Sequence, residues 1–128
     1  PDPEETAIRM AALAELVLAA AGKSGAPALV LAAVVHAELA VLRPFGSLDG
    51  VVARGAERLT LVEYGLDPKS LVAVEVGHRE LGDRYPEALR DYLTGTSEGV
   101  AAWVRYCAEA VLLGAREATA ICEALERG

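Results

Sequence analysis

Between Pro27 and about Leu42 the chain carries an apolar run with no polar face: Leu29, Val30, Leu31, Val34, Val35, Leu39 and Val41 fall on every side of a helical wheel. A helix with one apolar stripe can lie on a surface, but one that is apolar all round must be enclosed by other elements. This run therefore predicts a buried helix at the centre of an all-α bundle. Pro27 suits its first turn. Arg43-Pro44 closes it, because a residue before proline avoids the helical region. The longest uncharged stretch, Ser24 to Ala37, is broken by Gly25 and Pro27. It falls short of the ~20 apolar residues a bilayer span needs.

The remaining periodicity predicts helices around that centre. Glu4 to Ala21 places Met10, Leu13, Val17 and Ala20 on one face, widened by Leu16, with Glu4 and Glu5 where the helix dipole favours acids. A third helix runs from about Asp49 to Tyr64, with Gly65 as C-cap and Pro68 beyond. A fourth spans about Arg84 to Leu93. The last runs from about Glu98 to Leu125, with Thr96 or Ser97 as N-cap. Its buried stripe is Val100, Trp103, Val104, Cys107, Val111, Ala118, Ile121 and Leu125; its wet side is Arg105, Glu109, Arg116, Glu117 and Glu123. Residues 69–83 read as an irregular connector with at most one helical turn, since Leu71–Val76 could form a strand but has no visible partner. No linker divides the 128 residues, so one domain, 1–128, is expected.

Aromatic residues are only 5% of the chain, so Ala, Val and Leu must build the core, which favours closely packed helices. The net charge is −7 and the isoelectric point about 4.8. Nucleic-acid binding needs a basic face, and an anionic membrane surface repels an acidic domain, so neither partner is expected. The start, Pro1 to Thr6, is acidic and unlike a signal peptide. It also lacks an initiator Met, as a piece of a longer chain would. Cys107 and Cys122, on one helix about 22 Å apart, cannot bridge each other. Two helix-buried thiols suit a reducing cytoplasm.

The richest segment is His36-Ala-Glu-Leu-Ala-Val-Leu-Arg43-Pro44-Phe45-Gly46-Ser47-Leu48-Asp49-Gly50-Val51-Val52-Ala53-Arg54. It resembles the Fic (Fido) signature H-P-F-x-[D/E]-G-N-G-R-x-x-R, which lies between two core helices and commonly has a His seven residues upstream. Pro44, Phe45, Gly50 and Arg54 fall on motif positions, and His36 on the upstream His. Arg43 stands where the family has its catalytic His. Ser47 replaces the metal-holding acid, Leu48 a glycine, Asp49 the asparagine and Val51 the first arginine. Tyr85 to Leu89, Gly95 and Trp103 to Tyr106 are similar to the family's downstream helices. The family's target-aligning flap lies upstream of these helices and is not recognisable here, because the sequence begins at about that point. The resemblance thus implies a Fic-like helical bundle with the motif loop between two core helices.

In the family the His takes a proton from a target hydroxyl, which attacks the α-phosphate of ATP. A general base needs a free lone pair and a pKa near the working pH. Arginine has no acceptor and stays protonated, so Arg43 cannot serve. Asp49 also sets a carboxylate at a helix N-terminus where the family receives phosphate. The resemblance therefore implies a degenerate, inactive adenylyl-transfer site acting as a binding or interaction module, with no cofactor and no metal. The alternative is a transferase of a phosphate-containing group with altered chemistry, which would use ATP and Mg²⁺. A degenerate subunit of a toxin–antitoxin pair is a third reading.

The ligand-binding residues expected on this basis are Arg43, Pro44, Phe45, Gly46, Ser47, Asp49, Gly50 and Arg54, facing an anionic small ligand or a protein partner. Arg43 and Arg54 would hold the anion, or Arg43 pairs internally with Asp49 or Glu57. Ser47 and Asp49 read more simply as N-caps, with Asp49 as a displaced metal ligand the alternative. His36 is expected as a packed histidine bonded to a carbonyl or a carboxylate, His78 as a surface histidine, and Trp103 and Tyr106 as packing residues. The apolar first helix offers a surface to a second copy or to a missing segment.

Overall fold

The computed structural model describes residues 2–23, 28–42, 49–63, 66–67 and 69–128, and for 20–23 and 49 the backbone alone. The described residues are all-α: six helices and no strand. They are α1 (Pro3–Lys23), α2 (Ala28–Leu42), α3 (Asp49–Glu63), α4 (Val74–Leu81), α5 (Arg84–Leu93) and α6 (Ser97–Arg127). None is long and apolar enough to cross a membrane. The chain forms two compact units, Pro1–Leu66 and Asp67–Gly128.

In the first unit α2 is the hub, packing on α3 and on α1. Leu13 of α1, Val35 and Leu39 of α2 and Ala53 of α3 make its core, with Met10, Val17, Ala40, Val52 and Ala56 packed around them. Ala32, Ala33 and Ala37 are wholly buried on α2, as the absence of a polar face requires. The small side chains let neighbouring helices come close. Leu16, expected to widen the buried stripe of α1, is instead 49% exposed. Arg9 and Glu38 meet at 3.7 Å across α1 and α2, a half-exposed pair of little energetic weight.

The second unit corrects the sequence reading at residues 69–83. Eight of them form a regular helix, α4, that lies along α6. Val74, Gly77 and His78 recur at helical spacing and are buried on it. The valines that suggested a strand are accommodated because β-branching lowers helix propensity only slightly, and packing outweighs it. Asp67 sets up the approach to this helix. Its two carboxylate oxygens accept the backbone N–H groups of Leu71 and Val72, each at 2.9 Å, and its carbonyl accepts Ser70 N–H at 3.0 Å. Ser70 takes up a left-handed φ of 52° in that turn.

The core of this unit is aromatic. Trp103 stacks on Tyr106 with centroids 5.3 Å apart, and Tyr92 stacks on Trp103 at 6.3 Å. Tyr85 meets both Trp103 and Tyr106 at 5.9 Å. Trp103 and Tyr106 are thus packing residues, with exposures of 0% and 2%. Arg84 bridges α5 to Glu109 of α6, and the hydrogen bond to that carboxylate raises the guanidinium pKa further above its ordinary value.

α6 outruns its partners. Its buried positions are Gly99, Trp103, Tyr106, Cys107, Ala110 and Gly114. Ile121 and Leu125, placed in the stripe by periodicity alone, are 51% and 75% exposed, and Cys122 is exposed while Cys107 is buried. Neither cysteine is in a disulfide. A helix of 31 residues extends about 46 Å beside α4 and α5 of eight and ten residues, so neither of these two partners is long enough to cover its last turns.

At the other end of α6 the cap is as expected. Gly95, at a φ of 70°, turns the chain after α5, and Thr96 Oγ1 accepts Gly99 N–H at 3.0 Å. Thr96→Ala is expected to cost about 1 kcal/mol, the usual worth of such a cap. Urea denaturation followed by Trp103 fluorescence would measure it.

Candidate functional site

The expected site lies in the first unit, where residues 43–48 separate α2 from α3. Arg43, Pro44, Phe45, Gly46 and Ser47 fall outside the described residues. Asp49 opens α3 and Gly50 follows it. The carboxylate of Asp49 also falls outside what is described, so its capping and metal-ligand readings lie there too. Arg54, one turn on, folds back toward the helix start. Its Nη1 lies 3.1 Å from where a Cβ on Gly50 would sit. Helical side chains lean toward the N-terminus, and glycine leaves the room for a guanidinium to lie across the first turn. Val51, in place of an arginine in the resemblance, is 62% exposed. Of the expected site residues, then, Gly50 and Arg54 are brought together.

The first-turn N–H groups of a helix carry a partial positive charge and lack intrahelical acceptors. A guanidinium over them adds a full charge and planar donors. Such an arrangement favours an anion over a cation.

Behind it lies a buried ion-pair geometry. Nδ1 of His36, on α2, sits 2.9 Å from Oε1 of Glu57, on α3, and both side chains are 0% exposed. With Glu57 ionised, Nδ1–H donates to the carboxylate. His36 is thus bonded to a carboxylate, one of its two expected partners. Glu57, considered from sequence as a partner for Arg43, engages His36; Arg43 lies outside the described residues. A His–carboxylate dyad can orient an imidazole for proton transfer, but substrate must reach it. Burial this complete makes the dyad a fastener between α2 and α3.

The chain matches no protein-family model, no curated protein and no solved structure. Its chemistry is therefore argued from its own residues. His78 departs from expectation: it is 7% exposed, with Nδ1 3.0 Å from the Tyr106 hydroxyl and its ring edge-on to Tyr85. It belongs to the aromatic core of the second unit, because α4 turns that face onto α6. A histidine four residues after the buried Val74 could have been assigned to that face had the helix been recognised.

Proposed function

We propose that this chain is a Fic-like protein whose adenylyl-transfer site is degenerate and inactive, and that it serves as a binding or interaction module. The observation that carries the reading is Arg43 at the position of the catalytic base. A cation that cannot accept a proton cannot deprotonate a target hydroxyl. The pairing of α2 with α3 on either side of residues 43–48 suits a motif loop held between two core helices. His36 cannot stand in for the base, since it is buried and engaged by Glu57. Arg54 across the first turn of α3 keeps a cationic corner, which supports an anionic ligand or a carboxylate of a protein partner.

The test is label transfer from α-labelled ATP with Mg²⁺ onto any protein, alongside calorimetric titration of the nucleotide. No transfer is expected. Arg43→His combined with Ser47→Asp, Leu48→Gly, Asp49→Asn and Val51→Arg restores the motif. It is expected to raise transfer by at least the 10²–10⁴-fold that a general base contributes. Transfer by the unchanged chain would overturn the reading in favour of a transferase with altered chemistry.

A further inference from the structure

The uncovered end of α6 faces a second feature of the same unit. Leu71 and Val72, held in place by the Asp67 carboxylate, form one wall of an open groove of about 450 Å³. Ala115, Ala118, Thr119 and Cys122 of α6 form the other, with Glu123 and Glu126 at the rim. Leu71 is 55% exposed. Among the described residues the lining is apolar or acidic apart from the Thr119 hydroxyl, with no Lys or Arg. From Ala115 to Glu126 the α6 wall is about 17 Å long, some three helical turns.

We propose that this groove docks an amphipathic helix of a partner protein, its apolar face against Ala118 and Leu71 and its flanks carrying Lys or Arg. Small side chains on α6 let a second helix backbone approach closely, as ridges-into-grooves packing needs. The acidic rim selects the sign of the flanking charge, because opposite charges across an interface favour the partner and like charges reject it. A second copy of this chain is disfavoured by the same rule. Its net charge is −7, and α1, its exposed amphipathic helix, carries Glu4, Glu5 and Glu15 against Arg9 and Lys23. The groove and its charge stand independently of the Fic-like reading.

Cys122 is a built-in reporter, exposed and free in the groove, whereas Cys107 is buried. The probes are an 18-residue peptide with leucine on one helical face and lysine on the other, and its counterpart with glutamate for lysine. The Leu/Lys peptide is expected to slow maleimide labelling of Cys122 about tenfold or more, and the Leu/Glu peptide to leave it unchanged. Glu123→Lys with Glu126→Lys is expected to weaken Leu/Lys binding at least about tenfold, through the loss of rim pairs and their conversion to repulsion. Glu4→Lys with Glu5→Lys changes the net charge equally and is expected to leave binding within about twofold. Ala118→Gln, which extends a polar chain from the α6 wall into the groove, is expected to weaken binding while leaving the helical circular dichroism intact. The proposal falls if Cys122 is not protected, if the α1 variant loses as much binding as the rim variant, or if Ala118→Gln binds like the unchanged protein.

Discussion

Glu57→Ala is expected to lower stability by about 3–5 kcal/mol, the cost of removing one partner from a buried ion pair. His36 and Glu57 are both 0% exposed, with Nδ1 and Oε1 2.9 Å apart. Removing the carboxylate takes away the oxygen that faces the imidazole Nδ1 and with it a buried tie between the side chains of α2 and α3. Glu57→Gln keeps the shape and an oxygen acceptor, so it should cost about 1–2 kcal/mol, nearer the worth of a hydrogen bond. The double variant His36→Ala with Glu57→Ala should cost clearly less than the two singles added, since neither group is then left without the other. Urea denaturation of the unchanged protein, His36→Ala, Glu57→Ala, Glu57→Gln and the double variant measures all of this. A Glu57→Ala loss below about 1 kcal/mol, or strict additivity in the cycle, would show that the two side chains are merely adjacent. The dyad also bears on function, because α2 and α3 flank residues 43–48: loosening their attachment should weaken any ligand held at Gly50 and Arg54.

How far the sequence could be read depended on whether local pattern or a distant partner decided each element. The apolar run before Arg43 declared α2 almost to the residue, because a helix without a polar face has one place to go. Thr96 and the glycine at 95 marked the start of α6 through chemistry confined to a few residues. The helix α4 was hidden, because valines at 72, 74 and 76 fit a strand equally well, and what settles the matter is the α6 surface they meet. The exposed end of α6 was misread for the opposite reason. Ile121 and Leu125 keep the helical period, but period says nothing about whether another helix is long enough to cover them. At the candidate site, Gly50 and Arg54 were legible as neighbours one turn apart. The His36–Glu57 pair was visible only as two candidates, since a carboxylate 21 residues away reaches the imidazole through the rotation of α3 about its axis. No local pattern encodes that rotation.

Gly77→Ala is expected to disrupt the second unit, with a loss of about 3 kcal/mol or more. A Cβ on Gly77 would sit 1.9 Å from the carbonyl oxygen of Ala110 and 2.6 Å from its carbon. Both atoms belong to the backbone of α6, so no side chain can swing aside. Restoring ordinary contact at about 3.5 Å requires α4 and α6 to part by more than 1 Å, along the face that carries Val74 and His78. Overpacking in a tight core commonly costs 1–3 kcal/mol, and a clash with rigid backbone lies at the upper end or beyond. Helix propensity alone points the other way, since alanine is worth about 0.8–1.0 kcal/mol more than glycine in a helix interior. Gly55 of α3 isolates that opposing term, because a Cβ there meets nothing within 4 Å. Gly55→Ala should therefore stabilise the protein by about 0.5–1 kcal/mol. Trp103 is the sole tryptophan and lies wholly buried in stacking contact with Tyr92 and Tyr106, so its fluorescence reports the second unit directly. A red-shifted emission and an early urea transition are expected for Gly77→Ala; for Gly55→Ala, in the first unit, a later transition is expected in the helical circular dichroism, which reports α3 as well. If both substitutions stabilised the protein, close approach of α4 to α6 would not be what holds the aromatic core together, and glycine at 77 would have no packing role.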